Sequence, residues 1–406
     1  MIRAVPSTPL ANAYDFRKAQ IVNAIYAHPG LTRTELRKIT GLNQTTIVRT
    51  VADLLERGVL ALTDNKQSDG KRGRPSDVLS INPRVGYGLG IEFARDRLFV
   101  AITDALGDVV YWKQATDAPL FLSSDQTMDA LVRIARQTAK EAAISWSDVH
   151  GIGLALHDIV SARGRWLTVE QVNEEPYGVR EYLESRLVQQ VTVEDVSRAF
   201  AEAEHRFGAG RHIPDMIYIF LGRRGVGGGI FVNNKILKSS SGVCGEIGHI
   251  SVDDHGLLCH CGSQGCLETV ASHQAVENEM RALIAQGVRS TLANNHEVTF
   301  DDICMAAGAG DKGAYLVLNR LAQNMSRALA DAINITGAPV VIVGGGLSLA
   351  GEVFLAELAS AIRPRVVNLL ARHVSLRYAQ LPAHAGAWGA AVQVLDKVWS
   401  AGVFLE

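Results

Sequence analysis

The chain has 406 residues, 47% of them hydrophobic and 20% charged, which suits two or three domains with real cores and excludes a disordered chain. No run of about 18 apolar residues predicts a membrane span, and the N-terminus lacks the charged-then-apolar pattern of a secretory signal, so a cytoplasmic protein is expected. The net charge of −2 hides an asymmetry: residues 1–82 hold twelve Lys/Arg against seven Asp/Glu, leaving an acidic remainder, as in a nucleic-acid-binding module joined to another body, or in an ordinary solvated surface.

A first helix is expected over Asp15–Ala27, with Phe16, Ile21, Ile25 and Tyr26 as its apolar side, ended by Pro29-Gly30. Thr32-Arg33-Thr34-Glu35 reads as a capping box opening a second helix, with Leu36 and Ile39 inward, that stops at Thr40-Gly41. Asn43 caps a third helix running to Arg57, in which Ile47, Val51, Leu54 and Leu55 recur on one face, and Gly58 suits its C′ position. Two strands follow, Val59–Thr63 and Val78–Ile81. Three helices and a two-stranded wing make an α+β winged helix-turn-helix over residues 1–82.

In that geometry the third helix enters the major groove, N-terminal residues nearest the bases. Gln44 can pair with adenine and Arg49 with guanine or a phosphate, while Thr45 and Thr46 suit phosphates or thymine methyls. Solvated side chains would look the same in sequence. Between the strands, Gly70-Lys71-Arg72-Gly73-Arg74-Pro75 is a narrow cationic ribbon resembling the core of an AT-hook. Lys71, Arg72 and Arg74 fit an A·T-rich minor groove. The other reading is a charged linker.

From Gly86 the pattern changes. Strand-like runs at Gly86–Phe93, Leu98–Thr103 and Val109–Trp112 recur as Met216–Leu221, Gly228–Val232 and Ile236-Leu237, the last pair joined by the hairpin signal Asn233-Asn234. Helices are expected at Thr127–Ala143, Lys312–Ile333 and Gly386–Trp399. A repeated three-strand meander with helices between predicts an α/β body of two similar halves.

Three cysteines fall within eight residues, in Cys259-His260-Cys261-Gly262-Ser263-Gln264-Gly265-Cys266-Leu267-Glu268, shortly after Gly245-Glu246-Ile247-Gly248-His249. Thiolates so spaced can converge on one tetrahedral ion, and His249 can complete a closed structural Cys₃His zinc site with Cys259, Cys261 and Cys266. The alternative is a set of buried or disulfide-bonded cysteines. Cys259 and Cys261 are too close to pair comfortably, and nothing argues for an oxidising compartment.

The motif C-x-C-G-x-x-G-C-x-E after G-E-I-G-H resembles the ROK family of repressors, open reading frames and kinases, from about Arg84 to the C-terminus. The resemblance implies a two-lobed, actin-like hexokinase (ribonuclease H-like) fold: a first lobe over 83–196, completed by the C-terminal helix 386–400, and a second lobe over 197–385 with the zinc motif. It also implies that Glu246, His249 and Glu268 line a sugar site with Asp195, the counterpart of the kinase base; Glu194 stands where the kinases have asparagine. The kinase cradle D-x-G-G-T is replaced by Glu92-Phe93-Ala94-Arg95-Asp96, with no glycine. A second cradle is partly kept in Leu221-Gly222-Arg223-Arg224-Gly225-Val226-Gly227-Gly228-Gly229. The resulting expectation is a sugar-responsive repressor, a homodimer or homotetramer on a palindromic operator. The alternative is an ATP-dependent sugar kinase retaining Asp195.

Overall fold

The computed structural model describes residues 13–67, 76–94, 97–115, 124–157, 159–161, 163–167 and 178–401. The basic segment forms α1 (Ala13–Ala27), β1 (Leu31–Thr32), α2 (Arg33–Thr40), α3 (Gln44–Glu56), β2 (Leu60–Gln67) and β3 (Ser76–Ile81), with sheet order β1-β3-β2. The capping box closes: the Thr32 backbone N–H donates to Glu35 at 2.8 Å and the Glu35 N–H to Thr32 Oγ1 at 3.3 Å. The Asn43 side chain accepts from the Thr46 N–H at 2.8 Å and so starts α3. Gly58, just beyond α3, has φ +71°, the conformation that ends helices at glycine.

Ile21, Ile25, Leu36, Ile47, Val51 and Leu54 are fully buried and Tyr26 and Leu55 pack partly buried against them, but two predicted inward residues face solvent: Phe16 is 61% and Ile39 50% exposed. The buried side of α1 instead includes Lys18, whose ammonium reaches Asp53 at 3.0 Å. In α2, only two turns long, Leu36 is the one buried residue. The predicted wing residues Lys71, Arg72 and Arg74, and Arg95-Asp96, lie outside the described residues.

Two compact units make up the chain: Met1–Leu156, Tyr177–Glu194 and Gly386–Glu406 form one, and His157–Pro176 with Asp195–Ala385 the other. Beyond the head, the chain runs through β4 (Tyr87–Phe93), β5 (Leu98–Asp104), β6 (Val109–Gln114), α4 (Ser124–Glu141), β7 (Val149–Leu156), the short pair β8 (Ile159–Val160) and β9 (Trp166–Leu167), α5 (Val179–Leu187) and β10 (Gln190–Asp195). The first unit's sheet has the order β10-β7-β4-β5-β6. Next come α6 (Val196–Phe207), β11 (Met216–Leu221), β12 (Val226–Val232), β13 (Lys235–Ile236), α7 (Glu268–Ala271), α8 (His273–Ala285), α9 (Phe300–Gly308), α10 (Lys312–Thr336), β14 (Val340–Gly344), α11 (Gly351–Ile362), α12 (Asn368–Ala371) and β15 (Ser375–Tyr378). The second unit's sheet is β13-β12-β11-β14-β15. Each sheet is an antiparallel meander with a parallel strand beside its first member, β7 on β4 and β14 on β11. The sequence repeat is therefore a repeat of topology.

The last helix, α13 (Ala385–Ala401), lies on the first sheet. A Cβ on Gly90 of β4 would overlap the Ala387 carbonyl, and one on Gly153 of β7 the Ala390 carbonyl. These glycines let a helix of small residues approach the strands at backbone distance. The far end of α13 continues into the head: Val394, Leu395, Val398 and Trp399 share one apolar cluster with Ile21, Val22, Ile25 and Leu54. Trp399 Nε1 donates to the Ala105 carbonyl at 3.1 Å, and the Tyr26 hydroxyl donates to Asp396 at 3.1 Å.

Candidate functional site

Four donors predicted from spacing converge. The ligand atoms of His249, Cys259, Cys261 and Cys266 all lie within 4.8 Å of one another. Zn–S bonds of about 2.3 Å and Zn–N bonds of about 2.0–2.1 Å give a tetrahedron with edges of about 3.8 Å between sulfurs and about 3.6 Å between sulfur and nitrogen. Cys261 Sγ stands 3.7 Å from Cys266 Sγ, and Cys259 Sγ 3.6 Å from His249 Nδ1. The four side chains thus fit a zinc ion, and their separations are those of unbridged thiols.

Backbone hydrogen bonds hold the loop in that shape, the Cys259 N–H donating to Ser263 at 2.8 Å and the Leu267 N–H to Ile250 at 2.9 Å. Burial pulls the His249 imidazole below its ordinary pKa, favouring the neutral form that ligates metals. Burial also pushes the Cys266 thiol up to about 12. Holding that sulfur as a thiolate calls for a cation beside it.

The predicted sugar-binding residues occupy different settings. Asp195 caps α6, its Oδ1 accepting from the N–H groups of Ser197 at 2.8 Å and Arg198 at 3.2 Å. Glu246 lies just before a single 3₁₀ turn that carries His249. Burial raises its pKa, the nearby Arg198 opposing the shift and Glu268 adding to it. Glu268, at the start of α7, is 7% exposed; its Oε2 accepts from the Val226 N–H at 3.0 Å, and its Oε1 lies 3.0 Å from His260 Nδ1. A carboxylate has about four lone-pair positions, so these contacts leave room for a hydroxyl. Glu194, 9% exposed on β10, ends the stretch that belongs to the first unit. A groove of about 890 Å³ opens beside the zinc loop in the second unit, bordered by Arg224, His260, Glu268, Gln274, Asn278 and Arg320 among others. Of the five predicted ligand residues, Glu268 borders it.

On the head, Gln44, Thr45 and Arg49 are exposed and Thr46 is half-buried beside the Asn43 cap. Those four side chains therefore stand at the start of α3, as a groove-reading helix requires.

A ROK family pattern matches residues 88–397, and a MarR family pattern matches residues 15–70. The chain belongs to the ROK family. It is 25% identical over 387 residues to the xylose repressor of Caldicellulosiruptor bescii, covering 94% of this chain and 96% of that one. A crystal structure of a ROK family transcriptional regulator, described as a homolog of the E. coli MLC protein, superposes with a TM-score of 0.82 at 26% identity, covering 97% of this chain and 98% of that one. A ROK family glucokinase from Streptomyces griseus, solved with glucose and AMPPNP, gives a TM-score of 0.65 at 29% identity; it is covered in full by 77% of this chain. The fold class is thus the expected one, ROK/hexokinase-like α/β sheets with a winged helix at the N-terminus.

Within this ROK chain the glycine-rich turns have packing roles. A Cβ on Gly227 would overlap the Ser197 hydroxyl, and one on Gly229 the Ala201 side chain, so these glycines of β12 seat α6. A Cβ on Gly345, after β14, would overlap the Leu221 carbonyl. Protein atoms account for these glycines without a phosphate. At the first cradle, Glu92 is fully buried and lies 3.5 Å from Arg97, and a Cβ on Gly386 would stand 2.5 Å from its Oε2.

Two residues in contact with the predicted site were not singled out from the sequence. Arg198, 3% exposed, donates from Nη1 to the Cys244 carbonyl at 2.9 Å and stands 4.0 Å from Glu246, tying α6 to the loop before His249. Its position three residues after Asp195 was the available signal. His260, between Cys259 and Cys261, faces Glu268.

Proposed function

We propose that the protein is a sugar-responsive, DNA-binding transcriptional repressor of carbohydrate-metabolism genes and carries no phosphotransferase activity. The observation that supports this most is the winged head: the glucokinase is covered in full by 77% of the chain, and the MarR-type segment lies outside the ROK match. α3 is the reading helix, with Gln44, Thr45, Thr46 and Arg49 facing DNA, and Lys71, Arg72 and Arg74 of the wing enter the minor groove. Two such heads, in a homodimer or homotetramer, would face a palindromic operator. This is work for the cytoplasm; among the described residues no helix is long and apolar enough to cross a membrane.

The effector is a monosaccharide or a derivative of one, held by Glu194, Asp195, Glu246, His249 and Glu268. The repressor relative's name specifies xylose and the kinase structure contains glucose, which supports a sugar without choosing it. Zinc on His249, Cys259, Cys261 and Cys266 supplies rigidity here, because four protein ligands leave no open position. With His249 Nδ1 toward the metal, Nε2 is left for a sugar hydroxyl. Clamping His249 and the loop leading to Glu268 keeps both in register without any bond-making step. Sugar acts on DNA binding only by favouring one conformer of the protein over another. The test is retardation of duplexes from a genomic library by the full chain at modest salt. Retention of a distinct palindromic subset is expected; uniform failure to retain any duplex sinks the proposal.

A further inference from the structure

The exposed strip of α3 contains two apolar side chains, Val48 and Ala52, of which Val48 is the larger and the more central. Thr45, Val48, Arg49 and Ala52 are all exposed and recur at helical spacing, while Ile47, Val51 and Leu54 on the other side are fully buried. Val48 keeps 48% of its surface exposed. Residues 44–52 contain no carboxylate, Asp53 is drawn to Lys18 at 3.0 Å, and the exposed Glu56 lies a turn beyond Ala52, so no negative charge adjoins Val48 on the strip. Single exposed valines are common on protein surfaces; this one sits in the middle of the face that a winged helix turns to the major groove.

We infer that Val48 is a specificity-determining residue that reads thymine through its C5-methyl group. An isopropyl group has no donor or acceptor for a phosphate or a base edge, and the major groove offers one apolar feature, the thymine methyl. In a helix a β-branched side chain is confined to one main rotamer, so its methyl groups are presented in a fixed direction. A purine or cytosine at that step leaves the isopropyl group against polar edges, which is discrimination without a hydrogen bond. Burying one methyl-sized group is worth about 0.8 kcal/mol, or about fourfold in affinity.

This inference rests on the DNA-binding reading, and its test separates the two. The full chain selects duplexes from a random pool, and each thymine of the selected sequence is then replaced by uracil, which removes the C5-methyl alone. Equilibrium binding is measured for the natural chain and for Val48→Ala, whose fold is checked by its melting temperature. Expected is a loss of about fourfold for the natural chain at each thymine of one symmetric pair, with Val48→Ala binding thymine and uracil forms equally. Indifference of the natural chain to uracil at every position, or an undiminished loss in Val48→Ala, overturns the inference. A pool that yields no bound duplex overturns the DNA-binding reading first, and the inference with it.

Discussion

Trp399→Ala tests whether the head depends on the C-terminal helix. Trp399 is 2% exposed, its ring centroid lies 5.5 Å from that of Tyr26, and its Nε1 donates to the buried Ala105 carbonyl. Truncating a fully buried tryptophan costs about 3–5 kcal/mol, and the orphaned Ala105 carbonyl is part of that cost. For a unit of this size that corresponds to a melting temperature lower by on the order of 10 °C. Because the cluster joins α13 to Ile21, Val22 and Ile25 of α1, the loss should appear in the head as faster amide exchange along α1. Trp399→Phe keeps most of the packing and removes the hydrogen bond, so its cost should be about 1–2 kcal/mol. Unchanged α1 exchange and a melting temperature within about 1 °C of the natural chain would show that the head folds independently, and the reasoning fails.

Metal analysis of the purified chain should find one zinc per chain, with chelation lowering its thermal stability and Cys261→Ser weakening retention. An absence of bound metal contradicts the Cys₃His assignment. Incubation with ATP and common hexoses or amino sugars should give no phosphotransfer above the level of Asp195→Ala. Turnover well above that variant would reinstate the kinase reading.

Features set by neighbouring residues were readable in the sequence. The Thr32–Glu35 capping box, the Asn43 cap and the Asn233-Asn234 hairpin, both of whose residues have positive φ, depend on groups a few residues apart. The convergence of the His249, Cys259, Cys261 and Cys266 donors was equally legible, since three of them lie within eight residues. Contacts between distant segments were not. Gly227 and Gly229 read equally well as parts of a phosphate cradle or of hairpin turns, and their packing against Ser197 and Ala201 of α6 depends on a segment some thirty residues earlier. The role of Arg198 depends on the Cys244 carbonyl, 46 residues away, and Glu268 meets the Val226 N–H from 42 away. Periodicity put Phe16 and Ile39 inward because the apolar stripe of a short helix is broad, and only packing decides which edge is covered.

The most direct test of the account is a titration of monosaccharides onto the complex of full chain and selected operator, followed by fluorescence anisotropy of the labelled DNA. At least one sugar should change the apparent affinity for the operator and leave binding to unrelated duplex unaltered. A sugar that binds the chain, as judged by its melting temperature, yet leaves operator affinity untouched would contradict it.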